Sequence, residues 1–148
     1  MEGTSFAIPL NLYCDTWALC DSSMIKVVGP FLAKKGKEDL GNNIIKEWSD
    51  SQTLWVRRAS LVIFLKIAMI KKDFEEEFLF TLLEKVKGDS EPYIQKAIAW
   101  LLRVCSRYRS QIIYTYLLEN KHNLSRLILR EGSKKLKKDQ RTGLLADK

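Results

Sequence analysis

Two six-residue stretches, "LWVRRA" at 54–59 and "PYIQKA" at 92–97, repeat one pattern at an offset of 38 residues. In each, a large aromatic and a β-branched residue precede a basic residue and an alanine. Each follows an Asp-Ser turn, "SDSQ" before the first and "GDSE" before the second. A period near forty carried by paired helices is the signature of a HEAT-type α-solenoid, where one repeat alone cannot bury its apolar face. Two unrelated amphipathic helices with similar starts would give the same letters. The repeat is the preferred reading.

Helix punctuation along the chain agrees with it. Asp15 is placed to cap a first helix reaching Val28, ended by Gly29-Pro30. A short helix is expected over Glu38 to Trp48, weakened by Gly41-Asn42-Asn43. Thr53 is placed to cap a helix from Leu54 to Ile70. Asp73 is placed to cap the next, with Glu75, Glu76 and Glu77 in its first turn, where the helix dipole favours carboxylates. Gly88 closes that helix. Ser90 is placed to cap a helix from Glu91 to Tyr108, with Pro92 near its start, where proline is tolerated. "RSQIIYTYLLEN" and "NLSRLILREGSKKLKK" supply two more. Strand alternation with Asn-Gly turns is missing. The expected fold is all-α, a HEAT-like α-solenoid (α-α superhelix) of about three to four helix pairs. Its expected organisation is a lead-in over 1–14, a helical domain over 15–138 and a basic, flexible tail over 139–148.

The 148 residues, 46% hydrophobic, suit a single domain with a real core. The net charge of +7 favours anionic partners, nucleic acid first and an anionic membrane surface second. Residues 121–148 hold nine Lys/Arg against three Asp/Glu, so this last fifth carries +6 of the total. Its "KKLKK" run fits a nucleic-acid or import patch, though a solvated tail is the more frequent meaning. The three cysteines, Cys14, Cys20 and Cys105, form no CxxC, and with the lone His122 they assemble no zinc set. No metal and no cofactor is therefore expected. Reduced thiols and the absence of a signal-like N-terminus point to an intracellular protein. The apolar run "SLVIFLKIAMI" is short and broken by Lys66, which reads as a buried helix and not a membrane span. There is no Gly-rich phosphate loop, and a Ser-His-Asp or Cys-His arrangement would have to use His122 in a basic, exposed stretch.

Three constellations remain. Lys96, Trp100, Arg103 and Arg107 are spaced to form one stripe of a helix, opposite an apolar face of Ile94, Ala97, Ile98, Leu101, Leu102 and Cys105. Such a stripe offers phosphate contacts beside a π-surface, or is a charged outer face with tryptophan packed on arginine stems. The helix from Leu54 is apolar almost all round, so Arg58 and Lys66 on it must reach an edge or find a partner. Arg58 either pairs with a carboxylate of a neighbouring helix or grips a phosphate with its planar fork. Finally, "TWALCD" places Trp17 and Asp21 on one helix face, where a helix-start acid beside a core tryptophan is the plainer meaning.

Taken in order, "TWALCD" (16–21), "LWVRRA" (54–59), "FLK" (64–66) and "YIQKAIAWLLRVCSRY" (93–108) resemble the DNA alkylation repair family of the AlkD type. The resemblance covers roughly residues 12–138, and "IQKAIAWLLR" carries it most specifically. It implies a HEAT-like, all-helical DNA glycosylase that removes N3- and N7-alkylated purines, here a short member without the repeats that usually precede the Trp-Asp helix. By position it assigns the catalytic carboxylate to Asp21 and lesion or sugar contacts to Trp17 and Trp100. DNA-contacting roles fall to Arg58, Lys66 and Arg103, and the basic stripe adds Lys96 and Arg107.

The implied chemistry explains so sparse a site. A purine alkylated at N3 or N7 is already cationic and needs no general acid, so the oxocarbenium-like sugar is what must be stabilised. The expected partner is double-stranded DNA carrying alkylated bases, bound by a monomer in the cytoplasm or nucleoid, or in a nucleus. No snug base-reading pocket is expected. The alternatives are a non-catalytic HEAT-repeat DNA-binding module and a protein-interaction scaffold.

Overall fold

A computed structural model describes residues 17–146, with side chains from Cys20 onward. Asp15 and the side chain of Trp17 lie outside the described residues. All the regular structure described is helical, as expected. Among the described residues the α-helices are α1 (Trp17–Ser23), α2 (Gly29–Leu32), α3 (Glu38–Ser49), α4 (Leu54–Lys71), α5 (Glu76–Val86), α6 (Pro92–Cys105), α7 (Ser110–Glu119), α8 (Arg126–Gly132) and α9 (Lys138–Leu145), with a π-helical turn at Met24–Val28.

The helix starts reveal the repeat more plainly than the letters do. Helices begin at Glu38 and Leu54, at Glu76 and Pro92, and at Ser110 and Arg126, sixteen residues apart in each case. The first two pairs also keep the offset of 38 in their hydrogen bonds. Ser51 Oγ accepts from the Thr53 N–H, and Asp89 Oδ1 from the Glu91 N–H, both at 3.0 Å. Arg57 Nη1 donates back to the Ser51 carbonyl at 3.2 Å, and Gln95 Nε2 to the Asp89 carbonyl at 2.7 Å. The match therefore pairs Ser51 with Asp89, one position away from a match of the two Asp-Ser dipeptides. A short polar side chain bends the turn, and the fourth helical residue ties it down.

The chain forms two compact units that meet between Lys71 and Lys72. In the first, α4 is the centre, and α3 and the run from α1 to α2 pack on it. Leu61, Val62, Ile63, Phe64 and Leu65 are consecutive and all buried, so the middle of α4 is enclosed on every side. Gly41, Ile44, Ile45 and Trp48 form the buried face of α3 at helical spacing. This packing holds α3 continuous through Gly41-Asn42-Asn43 despite their poor helix propensity. In the second unit, α6 packs on α8 through the apolar face expected from sequence, and all six named residues are buried. Phe80 of α5 stacks on Tyr116 of α7, with ring centroids 5.1 Å apart. Leu144 of α9 is buried, and Arg126 and Lys121 donate to the carbonyls of Leu145 and Gly143 at its C-terminal end.

Several helix ends differ from expectation. Gly29-Pro30 does not stop the first helical run. The π turn widens the ladder so that the Gly29 N–H reaches the Met24 carbonyl, and Pro30 then sits in the first turn of α2, where it needs no N–H partner. Asp73 does not cap α5, which starts at Glu76; its carboxylate lies 3.6 Å from Arg109 instead. Ser90 is replaced as the turn-former by Asp89. Helix α6 stops at Cys105, where the Ser106 hydroxyl folds back on the Arg103 carbonyl at 2.7 Å.

Helix α4 ends at Lys72 with φ of 57°, a left-handed conformation that a side chain resists and glycine does not. Lys72→Gly is expected to raise unfolding free energy by about 0.5–1 kcal/mol in a urea titration, whereas Lys72→Ala should not.

Candidate functional site

Helix α1 is tied to α4 by two consecutive residues. The Cys20 thiol donates to the Trp55 carbonyl at 3.4 Å. The next residue, Asp21, accepts two bonds from Arg58: Nε to Oδ1 at 3.0 Å and Nη2 to Oδ2 at 2.8 Å. Trp55 and Arg58 are three residues apart on α4, so one face of that helix holds both. The two side chains are nearly enclosed, with 7% of Arg58 and 11% of Asp21 accessible. A fork-on-carboxylate pair at these distances is the strong, directional form of an ion pair. Of the two fates open to Arg58, the fork lies on a carboxylate, and that carboxylate is the one singled out as the site's anion.

Lys66 belongs to the same unit, and its stem crosses the backbone just after the π turn. A Cβ added to Gly29 would lie 2.7 Å from Lys66 Cγ and 2.7 Å from the Met24 carbonyl oxygen. Gly29 therefore lets the chain that carries Asp21 approach α4 this closely. Nothing in the sequence marks this role, because a Gly-Pro pair ordinarily reads as a helix stop.

The remaining basic candidates lie in the second unit. Lys96 is exposed, with its ammonium 5.8 Å from the Tyr93 ring centroid. It occupies the repeat position of Arg58, yet one is at the surface and the other is buried beneath Asp21. Trp100 is half-buried. Arg103 is half-buried, 3.7 Å from Glu131. Arg107 is exposed and stands in the turn past α6, so the four-residue stripe is three residues of helix plus one of turn.

Glu131 gathers Arg103, Arg130 and Lys134 around one carboxylate. The Lys134 ammonium at 2.8 Å, then Arg130 at 3.3 Å, holds its pKa below the ordinary carboxylate value. Burial forces the Cys105 thiol in the opposite direction and keeps it protonated. Among the described residues no group of three His, Cys, Asp or Glu could hold a metal ion, and no helix is long and apolar enough to cross a membrane.

Removing one partner of the Asp21–Arg58 pair strands the other without its counter-charge. Arg58→Met is expected to lower unfolding free energy by roughly 3 kcal/mol or more, and Asp21→Leu similarly, while the double variant should cost much less than the sum. Chemical denaturation of the four proteins measures this directly. A lowered pKa for Glu131 means its pairing adds stability above pH 4.5, which is lost as pH falls through the lower folded-state value. Glu131→Gln should flatten the fall in melting temperature over that acid range.

A bidentate carboxylate–guanidinium pair on adjacent helices is common to many proteins, so the whole-chain comparison bears on its meaning. No curated protein sequence matches the chain significantly. The family model described as DNA alkylation repair enzyme matches residues 5–136, which include Trp17, Asp21, Arg58, Lys66, Lys96, Trp100, Arg103 and Arg107. With nearly its full length matched, the chain belongs to the DNA alkylation repair enzyme family.

Proposed function

We propose that this protein is a DNA glycosylase that releases N3- and N7-alkylated purines, with Asp21 as the residue that meets the reacting sugar. The observation that carries this reading is the buried Asp21 carboxylate held by both arms of the Arg58 fork. A carboxylate fixed in place before substrate arrives needs no reorganisation when positive charge develops opposite it.

The reaction then asks little else of the protein. The bond between the sugar C1′ and the purine nitrogen breaks heterolytically, and its electron pair neutralises the cationic base. The oxocarbenium-like sugar left behind is stabilised by Asp21, which also orients water. That water adds to C1′ and loses a proton, leaving an abasic site. Each Asp21 oxygen spends one lone pair on Arg58 and keeps another for these tasks. Arg58 acts through Asp21 as a positioning residue. Trp17 and Trp100 are the candidates for contacting the lesion nucleotide, whose positive character suits a π-face. Lys66, Lys96, Arg103 and Arg107 are the candidates for phosphates, with Arg103 drawn between DNA and Glu131. No metal or cofactor enters the scheme, and the chain acts as a monomer in this reading.

The alternative reading, a DNA-binding member of the family without catalysis, rests on the same pair. A carboxylate already neutralised by Arg58 has less charge to offer a sugar cation. Base release separates the two. Asp21→Asn is expected to lower 7-methylguanine release from methylated DNA by roughly 100-fold or more while duplex binding stays within a few-fold. Equal release by wild type and variant removes the assignment, and no release by either supports the binding module.

A further inference from the structure

The run from the π turn through α2 carries a surface that neither the repeat nor the Asp21 site uses. Phe31 of α2 is 36% exposed and Val27, one turn earlier, is 64% exposed. Both are large apolar side chains left in water. Around them the sequence places Lys26, Lys34, Lys35 and Lys37 within twelve residues. Two of these bracket the exposed ring: Lys34 Nζ lies 5.7 Å and Lys37 Nζ 5.2 Å from the Phe31 centroid. An ammonium held over a ring keeps N–H donors for a second partner. The neighbouring carboxylate, Glu38, is already engaged by the Gly36 N–H at 3.0 Å and by Lys71 at 3.5 Å.

An aromatic face set between lysine ammoniums matches a chain that alternates apolar sugar with anionic phosphate. Lysine suits such a backbone because it is a point charge that reads no base. The position also fits. Ten residues of helical chain separate Asp21 from Phe31, which is at most about 15 Å at ~1.5 Å per residue. Along a duplex that distance corresponds to roughly four to five base pairs at ~3.4 Å each. We infer that Phe31, Lys34 and Lys37 form a second contact with the DNA backbone, four to five base pairs from the lesion, with Lys34 and Lys37 on phosphates and Phe31 against the sugar between them. This rests on the reading that places Asp21 at the lesion sugar.

The test measures binding of the full-length protein to a fluorescent duplex carrying one 7-methylguanine, by anisotropy across a salt series. In Lys34→Ala/Lys37→Ala the slope of log K against log salt should become shallower by about two, one for each phosphate contact. Phe31→Ala should weaken binding several-fold with the slope unchanged. Circular dichroism melting should match wild type for both, since Phe31 and Lys34 are exposed and Lys37 is only half-buried. A duplex cut to fewer than about four base pairs on either side of the lesion should bind wild type and the double variant alike. A wild-type slope in the double variant overturns the inference, as does an equal loss on the shortened duplex. Wild-type protein that binds phosphatidylserine vesicles and not DNA overturns it in favour of a membrane surface. Base release is scored separately. If no base is released but the slope changes as stated, the glycosylase reading falls and the second contact stands. Release without the slope change leaves the reverse.

Discussion

The bidentate bond between Asp21 and Arg58 is the constraint around which the first unit is arranged. Arg58 is itself buried in a helix among the buried apolar side chains of Val56, Ala59, Leu61 and Val62, so its charge needs a partner on a neighbouring helix. Asp21 supplies it from α1, and the Cys20 thiol adds a second tie to the same face of α4. Holding α1 that close requires the following chain to pass tightly over Lys66, which only a glycine at position 29 permits. The π turn then returns the chain to α-helical geometry with Pro30 in a tolerated position. Ion pair, glycine and π turn form one connected device that fixes a carboxylate in place.

The second unit repeats the local construction but not the electrostatics. Its α6 starts with the same turn geometry as α4, down to the side chain that ties the turn. At the position of Arg58, however, it carries Lys96, exposed and leaning on Tyr93. A repeat makes copies of a backbone, and what covers each copy decides whether a basic side chain becomes a buried counter-ion or a surface charge. Arg103 shows an intermediate case, half-buried and shared with Glu131. The cationic surface relevant to DNA is therefore smaller than the count of lysines and arginines suggests.

The chain belongs to the DNA alkylation repair enzyme family, and the proposed glycosylase reaction is what gives these features a common purpose. Removal of a base that already carries positive charge calls for little covalent chemistry and much electrostatic placement. The proposed active residue is accordingly a single carboxylate, and the other expected contributors are aromatic or cationic contacts.

Much of this was legible before folding was considered. Apolar spacing and the recurrence at 38 residues predict an all-helical chain with helices at Leu54 and near Pro92, because burial periodicity and turn chemistry are local properties. The buried face of α6 follows from the same spacing. The motif order points to Trp17, Asp21, Arg58 and Trp100 by resemblance alone. Tertiary structure decided the rest. Whether Arg58 faces a phosphate or a carboxylate depends on which helix packs beside it, and Asp21 is 37 residues away in sequence. Gly29-Pro30 reads as a stop because local propensity favours one. It continues as helix because a π turn packed against α4 carries the Gly29 N–H to the Met24 carbonyl and leaves Pro30 in the first turn of the next helix, where its lack of an N–H costs nothing. Phe31 between two lysines looks like an ordinary loop in the letters, since its exposure is set by what fails to cover it. Residue types and their periods are written along the chain, whereas counter-charges and exposure arise only when distant segments meet.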